Sequence, residues 1–123
     1  KDARVLEAAY DDAQGVTRAF NLNLLAHVNR ELGADFALDG WRHAAPWCAA
    51  EGRIEMRLYS RRPQRVHVAG HAFDFAAGEY LLTEYSHKYR TAEFDALALA
   101  AGWRARRAWT DEAGAFAVHL LEA

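Results

Sequence analysis

The chain has 123 residues, a formal net charge of −2 at pH 7 and a hydrophobic content of 52%. These values fit a compact domain with its own core. The slightly negative net charge gives no sign of the basic surface that nucleic-acid binding requires. No apolar run approaches the ~20 residues of a membrane span, and the single cysteine, Cys48, cannot form an internal disulfide. We therefore expect a cytoplasmic protein with neither nucleic acid nor membrane as a partner.

Two helices are predicted at the start of the chain. Asp2 can cap a short helix that runs to about Tyr10, with its buried side formed by Val5, Leu6 and Ala9. Asp11 or Asp12 can cap a longer helix that ends at Gly33. Apolar residues recur along it at every fourth position and predict its buried stripe. The stripe consists of Val16, Phe20, Leu24, Val28 and Leu32, widened by Leu25.

The middle of the chain predicts an antiparallel sheet. Residues 34–52 have an irregular pattern typical of a loop with a short helical turn, whereas the hydrophobic period changes to two from Arg53 onward. Short connections join four predicted strands, which favours an antiparallel meander packed against the helices. The predicted strands cover residues 53–59, 65–69, 71–75 and 79–90.

A third helix and a hairpin complete the predicted α+β fold. The helix is expected to be capped by Thr91 and to end at Gly102, with Phe94, Leu97, Ala98 and Ala101 on its apolar side. Two strands at 104–110 and 115–121 follow. The last strand is nearly apolar on both faces, which is typical of a strand inside a larger sheet.

The fourth strand carries the polar residues that most suggest a binding site. Strict alternation places Glu84 and Ser86 on one face with Tyr80 and Leu82. A carboxylate and a hydroxyl can hydrogen-bond the nitrogens of an imidazole or an amine, and Met56 could pack against a planar ring. The other interpretation is that Glu84 reaches solvent or pairs with an arginine such as Arg57.

Other site chemistry finds little support in the sequence. The glycines are too widely spaced for a nucleotide-binding loop. His67 and His71 are four residues apart, but the turn at Gly70 separates them, so no metal site is predicted. No motif joins Cys48 to His43, and a partly buried free thiol is the simpler interpretation of that cysteine.

Several motifs that occur in order along the chain carry a resemblance. The motifs are Tyr10–Asn21 (YDDAQGVTRAFN), Asn29–Leu32 (NREL), Arg53–Met56 (RIEM) and Thr83–Tyr89 (TEYSHKY), followed by residues 109–111 (WTD) and 116–121 (FAVHLL). Together they resemble the C-terminal part of the S-adenosylmethionine-dependent histidine-specific N-alpha-methyltransferases of ergothioneine biosynthesis. The resemblance spans essentially the whole chain.

The resemblance implies a class I methyltransferase sheet joined to a substrate domain. Residues 1–89 would form the substrate-recognition domain, and residues 90–123 the last helix and hairpin of the methyltransferase core. By analogy, Tyr10 contacts the carboxylate of L-histidine, while Met56, Glu84 and Ser86 surround its imidazole. The alternation and chemistry of the residues, without the resemblance, indicate Met56, Glu84 and Ser86 as site residues but do not indicate Tyr10.

The resemblance also implies what this chain lacks. The part of the family that binds S-adenosyl-L-methionine is absent from the sequence, which has no initiator methionine either. We therefore expect a piece of a longer enzyme that is inactive alone, has no catalytic, donor-binding or metal-binding residue of its own, and self-associates through its apolar hairpin. The alternative is a stand-alone α+β domain that binds a small ligand or mediates assembly without catalysis.

Overall fold

The computed structural model describes residues 2–123, which form two compact units at residues 2–87 and 88–123. The helices are α1 (Ala3–Tyr10), α2 (Val16–Leu32) and α3 (Thr91–Ala100), with a 3₁₀ turn at Leu38–Gly40. The strands are β1 (Trp41–Ala44), β2 (Trp47–Cys48), β3 (Arg53–Ser60), β4 (Gln64–Val68), β5 (His71–Phe75), β6 (Tyr80–His87), β7 (Arg104–Thr110) and β8 (Ala117–Glu122). The predicted α+β class with antiparallel sheets is confirmed. Within residues 2–123, no helix has the length and apolar character needed to cross a membrane.

The first two helices begin and end close to the predicted positions, but the N-cap residue of α2 is Gly15 and not Asp11 or Asp12. The Asp2 carboxylate accepts a hydrogen bond from the backbone N–H of Arg4 at 2.9 Å. Asp12 accepts from the backbone N–H groups of Val16 and Thr17, both at 3.1 Å, and these bonds lower the pKa of the Asp12 carboxyl. Gly33 ends α2 with a positive φ of 59°, a backbone conformation that glycine adopts without strain.

The predicted meander is wrong, because the four strands do not pair in sequence. Strand β3 lies in the middle of one sheet, with β1 and β2 along one edge and β6 along the other, all antiparallel. Strands β4 and β5 form a separate hairpin. This hairpin covers the core instead of extending the sheet, because its Val66, Val68 and Phe75 pack against Trp41 and Leu58.

The core of the first unit lies on one face of β3. One cluster consists of Leu25, Trp41, Leu58 and Val66, and a second of Leu6, Ala45 and Ile54. Alternate residues of β3 therefore point into the core, and the segment predicted as a loop supplies Trp41 and Ala45 from β1 and its end. In α1, the predicted burial holds for Leu6, whereas Val5 and Ala9 are exposed.

The predicted buried stripe of α2 is wrong for four of its six residues, whereas Leu25 is buried as predicted and Val28 is partly buried. Val16, Phe20, Leu24 and Leu32 are exposed, and the buried residues of the helix are Asn21 and Leu25. The helix is rotated so that Asn21 reaches hydrogen-bonding partners in the interior. A buried amide with partners on both sides can favour that orientation over the burial of the apolar stripe.

The second unit consists of α3 and the antiparallel hairpin β7–β8. Thr91 is the first residue of α3, while Arg90 precedes it and donates its backbone N–H to Glu93 at 2.8 Å. Phe94 of the helix packs on the His119 ring, with ring centroids 4.6 Å apart. Every residue of β7 is exposed, and Ala98 is the one buried residue of this unit within the described chain.

Candidate functional site

A β-bulge in β6 determines which side chains face the interior at the candidate site. Met56 is paired with Glu84, but the next residue of β3, Arg57, is paired with Leu82. Thr83 is therefore an extra residue with no register partner on β3. Such a bulge reverses the alternation of side chains on the strand that contains it, and it re-aims the residues beside it.

The bulge places Glu84 and Ser86 on the inner face of the sheet. They pair with Met56 and Ile54, which are buried on that face. Strict alternation would put Tyr80 and Leu82 there as well, and that prediction is wrong. Tyr80 lies on the outer face instead, where the guanidinium of Arg57 stacks over its ring at 4.3 Å.

Met56 and Glu84 line one cleft of about 280 Å³ between α2 and the sheet. Met56 contributes a buried apolar wall, whereas Glu84 is exposed. A carboxylate opposite a thioether gives this cleft one polar and one soft apolar side, which suits a small planar ring with an N–H group. The other residues that line it are Phe20, Asn21, Asn23, Leu24, His27 and Thr83.

The two remaining predicted site residues form a second pair. The hydroxyls of Tyr10 and Ser86 are hydrogen-bonded at 2.7 Å, which joins the end of α1 to β6. Ser86 is two residues beyond Glu84 on the same face of β6. The structure thus places Tyr10 next to Ser86 and Met56 next to Glu84. Glu84 and Ser86 are consecutive inward residues of β6.

Of the two alternatives for Glu84, exposure to solvent is found, whereas the pairing with Arg57 is wrong, because Arg57 is bound to Glu55 on the outer face. Its Nη2 lies 2.5 Å from Glu55 Oε2, and Arg53 Nη2 lies 2.9 Å from Glu55 Oε1. Arg57 and then Arg53 lower the pKa of the Glu55 carboxyl, and Glu55 in turn raises the pKa of Arg57. The arginines of β3 are thus engaged on the face opposite to the cleft.

Sequence reasoning missed three polar residues beside the site: Asn21, His43 and Thr83. Asn21 Nδ2 lies 2.9 Å from His43 Nδ1, and its Oδ1 accepts from the Thr83 hydroxyl at 2.7 Å. The second ring nitrogen of His43 lies 2.8 Å from the backbone carbonyl of Tyr10. The one hint in the sequence was a helix rich in asparagine, and it did not indicate which asparagine is buried.

A second, larger and more open cleft of about 390 Å³ contains none of the predicted site residues. It is lined by Glu7, Ala8, Asp11, Arg42, Ala44, Ala45, Pro46 and Tyr59. Among residues 2–123, no group of three or more histidine, cysteine or acidic side chains could hold a metal ion.

Comparison with known proteins gives a consistent result. The family model described as histidine-specific, SAM-dependent methyltransferase matches residues 1–123. The chain is 52% identical to a histidine N-alpha-methyltransferase of Mycolicibacterium smegmatis and 51% identical to one of Mycobacterium tuberculosis, each over 122 residues. It is 31% identical over 123 residues to the N-methyltransferase benX of Aspergillus terreus.

These matches cover nearly all of the chain but a minor part of each relative. The alignments include 98% of the chain in all three cases, 38% of the two bacterial enzymes and 34% of the fungal one.

The surroundings of the glycines identify no binding site for S-adenosylmethionine, the methyl donor named in the family description. A Cβ added at Gly15, Gly33, Gly70, Gly78, Gly102 or Gly114 would meet nothing within 4 Å, and at Gly40 it would meet side chains of Gln64 and Arg62. These contacts assign no donor-binding residue within residues 2–123.

Proposed function

Because the chain belongs to the family of histidine-specific, S-adenosylmethionine-dependent methyltransferases, we propose that it supplies the amino-acid pocket of a histidine N-alpha-methyltransferase. In this proposal residues 1–89 are the substrate-recognition domain. The observation that carries it is the placement of Met56 directly opposite Glu84, with both lining one cleft. The volume of that cleft, about 280 Å³, is at the small end for ligand pockets and suits an amino acid.

We assign the imidazole of L-histidine to the inner face of β6. The Glu84 carboxylate would accept a ring N–H, and the Ser86 hydroxyl would bond the other ring nitrogen. Met56 would pack on the ring face, because its thioether is soft and adaptable. The positions support this assignment, since Glu84 and Ser86 are consecutive inward residues of β6 and Met56 pairs with the former.

Tyr10 would bind the substrate carboxylate. Its hydroxyl already lies at Ser86, 2.7 Å away, so the two polar ends of the amino acid would be bound at adjacent points of the same face. A phenol at the end of α1 is well suited to this role, since it can donate a hydrogen bond to a carboxylate. The α-amine then has no assigned partner in this chain.

We propose that the chain alone binds substrate without methylating it. The donor carries an activated methyl group, so the task of the protein is mainly to bind and orient the amine. We assign no donor site to residues 2–123. We assign residues 90–123 to the last helix and hairpin of a class I methyltransferase core, whose remaining strands would cover the exposed apolar residues of β8.

An amide NMR titration of the chain with L-histidine tests the pocket. We expect shifts clustered at Tyr10, Met56, Glu84 and Ser86 with histidine, and none there with L-tryptophan or S-adenosylmethionine as separate controls. Shifts of equal size with tryptophan would contradict the selectivity for imidazole, and the absence of any shift with histidine would contradict a pocket preformed in this chain.

A substitution at Glu84 tests the role of its carboxylate. Glu84→Ala leaves a ring N–H without its partner, so histidine affinity should fall by about 1–3 kcal/mol, roughly 5- to 150-fold. Glu112→Ala is the matched control, because Glu112 is an exposed carboxylate in the hairpin turn of the other unit. Unchanged histidine affinity in Glu84→Ala would refute the assigned role.

A further inference from the structure

We propose that Asn21, His43 and Thr83 act as one positioning unit, which fixes the β6 bulge and the end of α1. The proposal rests on the proposed function only where it concerns substrate binding. There the unit would orient Glu84 and Ser86 through the bulge, and Tyr10 through its backbone carbonyl. None of the three residues is assigned a substrate contact. Their role is to determine where the contacting side chains point.

The bulge depends on hydrogen bonds that the sheet itself does not supply. At Thr83 the ladder between β3 and β6 is interrupted, so backbone groups of β3 need other partners. The Thr83 hydroxyl lies 3.0 Å from the carbonyl of Met56, and Asn21 Nδ2 lies 3.4 Å from the carbonyl of Arg57. The unit therefore binds β3 on both sides of the register shift.

Loss of the bulge would reverse the site. A one-residue change in register moves every affected side chain to the other face of a strand. Without the extra residue at Thr83, Glu84 and Ser86 could not remain on the inner face while Leu81 keeps its place in the core next to Leu58. The hydrogen bonds of Thr83 and Asn21 thus hold the Glu84 carboxylate and the Ser86 hydroxyl on the inner face of the sheet.

The ring of His43 connects the bulge to Tyr10. The Tyr10 carbonyl can only accept, so His43 Nε2 carries the hydrogen in their 2.8 Å contact. Nδ1 of the same ring then accepts from the Asn21 amide at 2.9 Å. This leaves Asn21 Oδ1 to accept from the Thr83 hydroxyl at 2.7 Å, and the single hydrogen of that hydroxyl is shared between Asn21 Oδ1 and the Met56 carbonyl, which lies 3.0 Å away.

Burial makes the unit sensitive to the loss of any member. Asn21 is 2% exposed and His43 is 4% exposed. A buried polar group without a partner loses its hydration without replacing it. The unit also joins α2 to β1, β6 and the end of α1, so one lost bond should displace residues on several elements.

Thr83→Val and Thr83→Ser in the 123-residue chain test the unit. Valine keeps the shape but lacks the hydroxyl, so we expect amide exchange at residues 84–86 to accelerate roughly tenfold, the effect of one lost hydrogen bond. The cross-strand NOE contacts between Met56 and Glu84 should weaken, and Thr83→Ser should restore both. Thr110→Val, on exposed β7, should change neither readout.

The tautomer of His43 in the unaltered chain is a second measurement that needs no substitution. Long-range ¹H–¹⁵N spectra should show the hydrogen on Nε2 and an unprotonated Nδ1. A hydrogen on Nδ1 would overturn the proposal, and so would a Thr83→Val chain with unchanged exchange and NOE contacts. If the register and tautomer are as expected but histidine does not bind, the proposed function fails and the positioning unit stands.

Discussion

Strands β3 and β7 are of similar length, yet they differ completely in burial. Every second residue of β3 from Ile54 to Ser60 is buried, whereas each residue of β7 is exposed. Strand β3 has neighbours on both edges and is covered on its inner face by α2 and the β4–β5 hairpin. Strand β7 is paired only with β8. Pairing alone thus does not create a core, which requires a second layer of side chains.

The first unit encloses a polar network, while both units expose rows of apolar side chains. Residues 2–87 enclose a polar network in which Asn21 and His43 find partners inside the unit. As residues 2–87 do along α2, residues 88–123 expose a row of large apolar side chains. These are Trp109, Phe116, Val118 and Leu120. An exposed row of this kind is typical of a surface that packs on other protein.

The largest expected effect comes from truncating the core of the first unit. Leu58 is 0% exposed, so Leu58→Ala should lower the free energy of unfolding of residues 2–87 by about 2–5 kcal/mol. The matched change in the second unit, Leu120→Ala, affects a side chain that is 52% exposed and should cost less than about 0.5 kcal/mol at a dilution where the chain is monomeric. Urea unfolding followed by amide signals of each unit measures both.

Equal losses of unfolding free energy in the two variants would contradict the comparison. That result would mean that the hairpin face is packed against other protein in solution, as strongly as the inner face of β3 is packed against α2.

A smaller effect is expected on association of the chain through the hairpin. Leu120→Lys places a charge in the exposed apolar row, and loss of one buried leucine contact is worth about 1.5–3 kcal/mol, roughly 10- to 100-fold in the association constant. Val5→Lys is the control, because Val5 is an exposed aliphatic residue of α1 in the first unit. Light scattering across a concentration series measures both, and a wild-type chain that stays monomeric at high concentration would refute self-association.

Much of the local structure could be predicted from the sequence, because it depends on nearby residues. The cap at Asp2, the stop at Gly33 and the hairpin around Gly114 follow from short-range backbone chemistry. The same is true of β3, whose period of two matches its burial.

The bulge and the pairing of the strands could not be predicted in this way. Thr83 looks like any residue of an alternating strand, and its role depends on Asn21, which lies 62 positions earlier. Neighbouring strands in sequence were expected to pair, yet β6 pairs with β3 across an inserted hairpin. Such features depend on long-range contacts, which a hydrophobic period cannot reveal. For Tyr10, only the family resemblance gave a signal.

The smallest expected effect is a change in acid sensitivity, and it again separates the two units. Arg57 and Arg53 lower the pKa of the Glu55 carboxyl below its ordinary value of 4.5. The ionised carboxylate therefore stabilises the folded first unit at any pH above that ordinary pKa. This contribution is lost as the pH falls through the lower pKa of the folded state. Glu55→Gln should therefore unfold at lower urea than wild type at pH 7, with the difference shrinking toward pH 3. In the second unit the backbone N–H of Phe116 lowers the pKa of Asp111, so Asp111→Asn should reduce the acid response of hairpin amides alone. A Glu55→Gln effect that is equal at both pH values would show that the two guanidinium groups do not stabilise the ionised carboxylate.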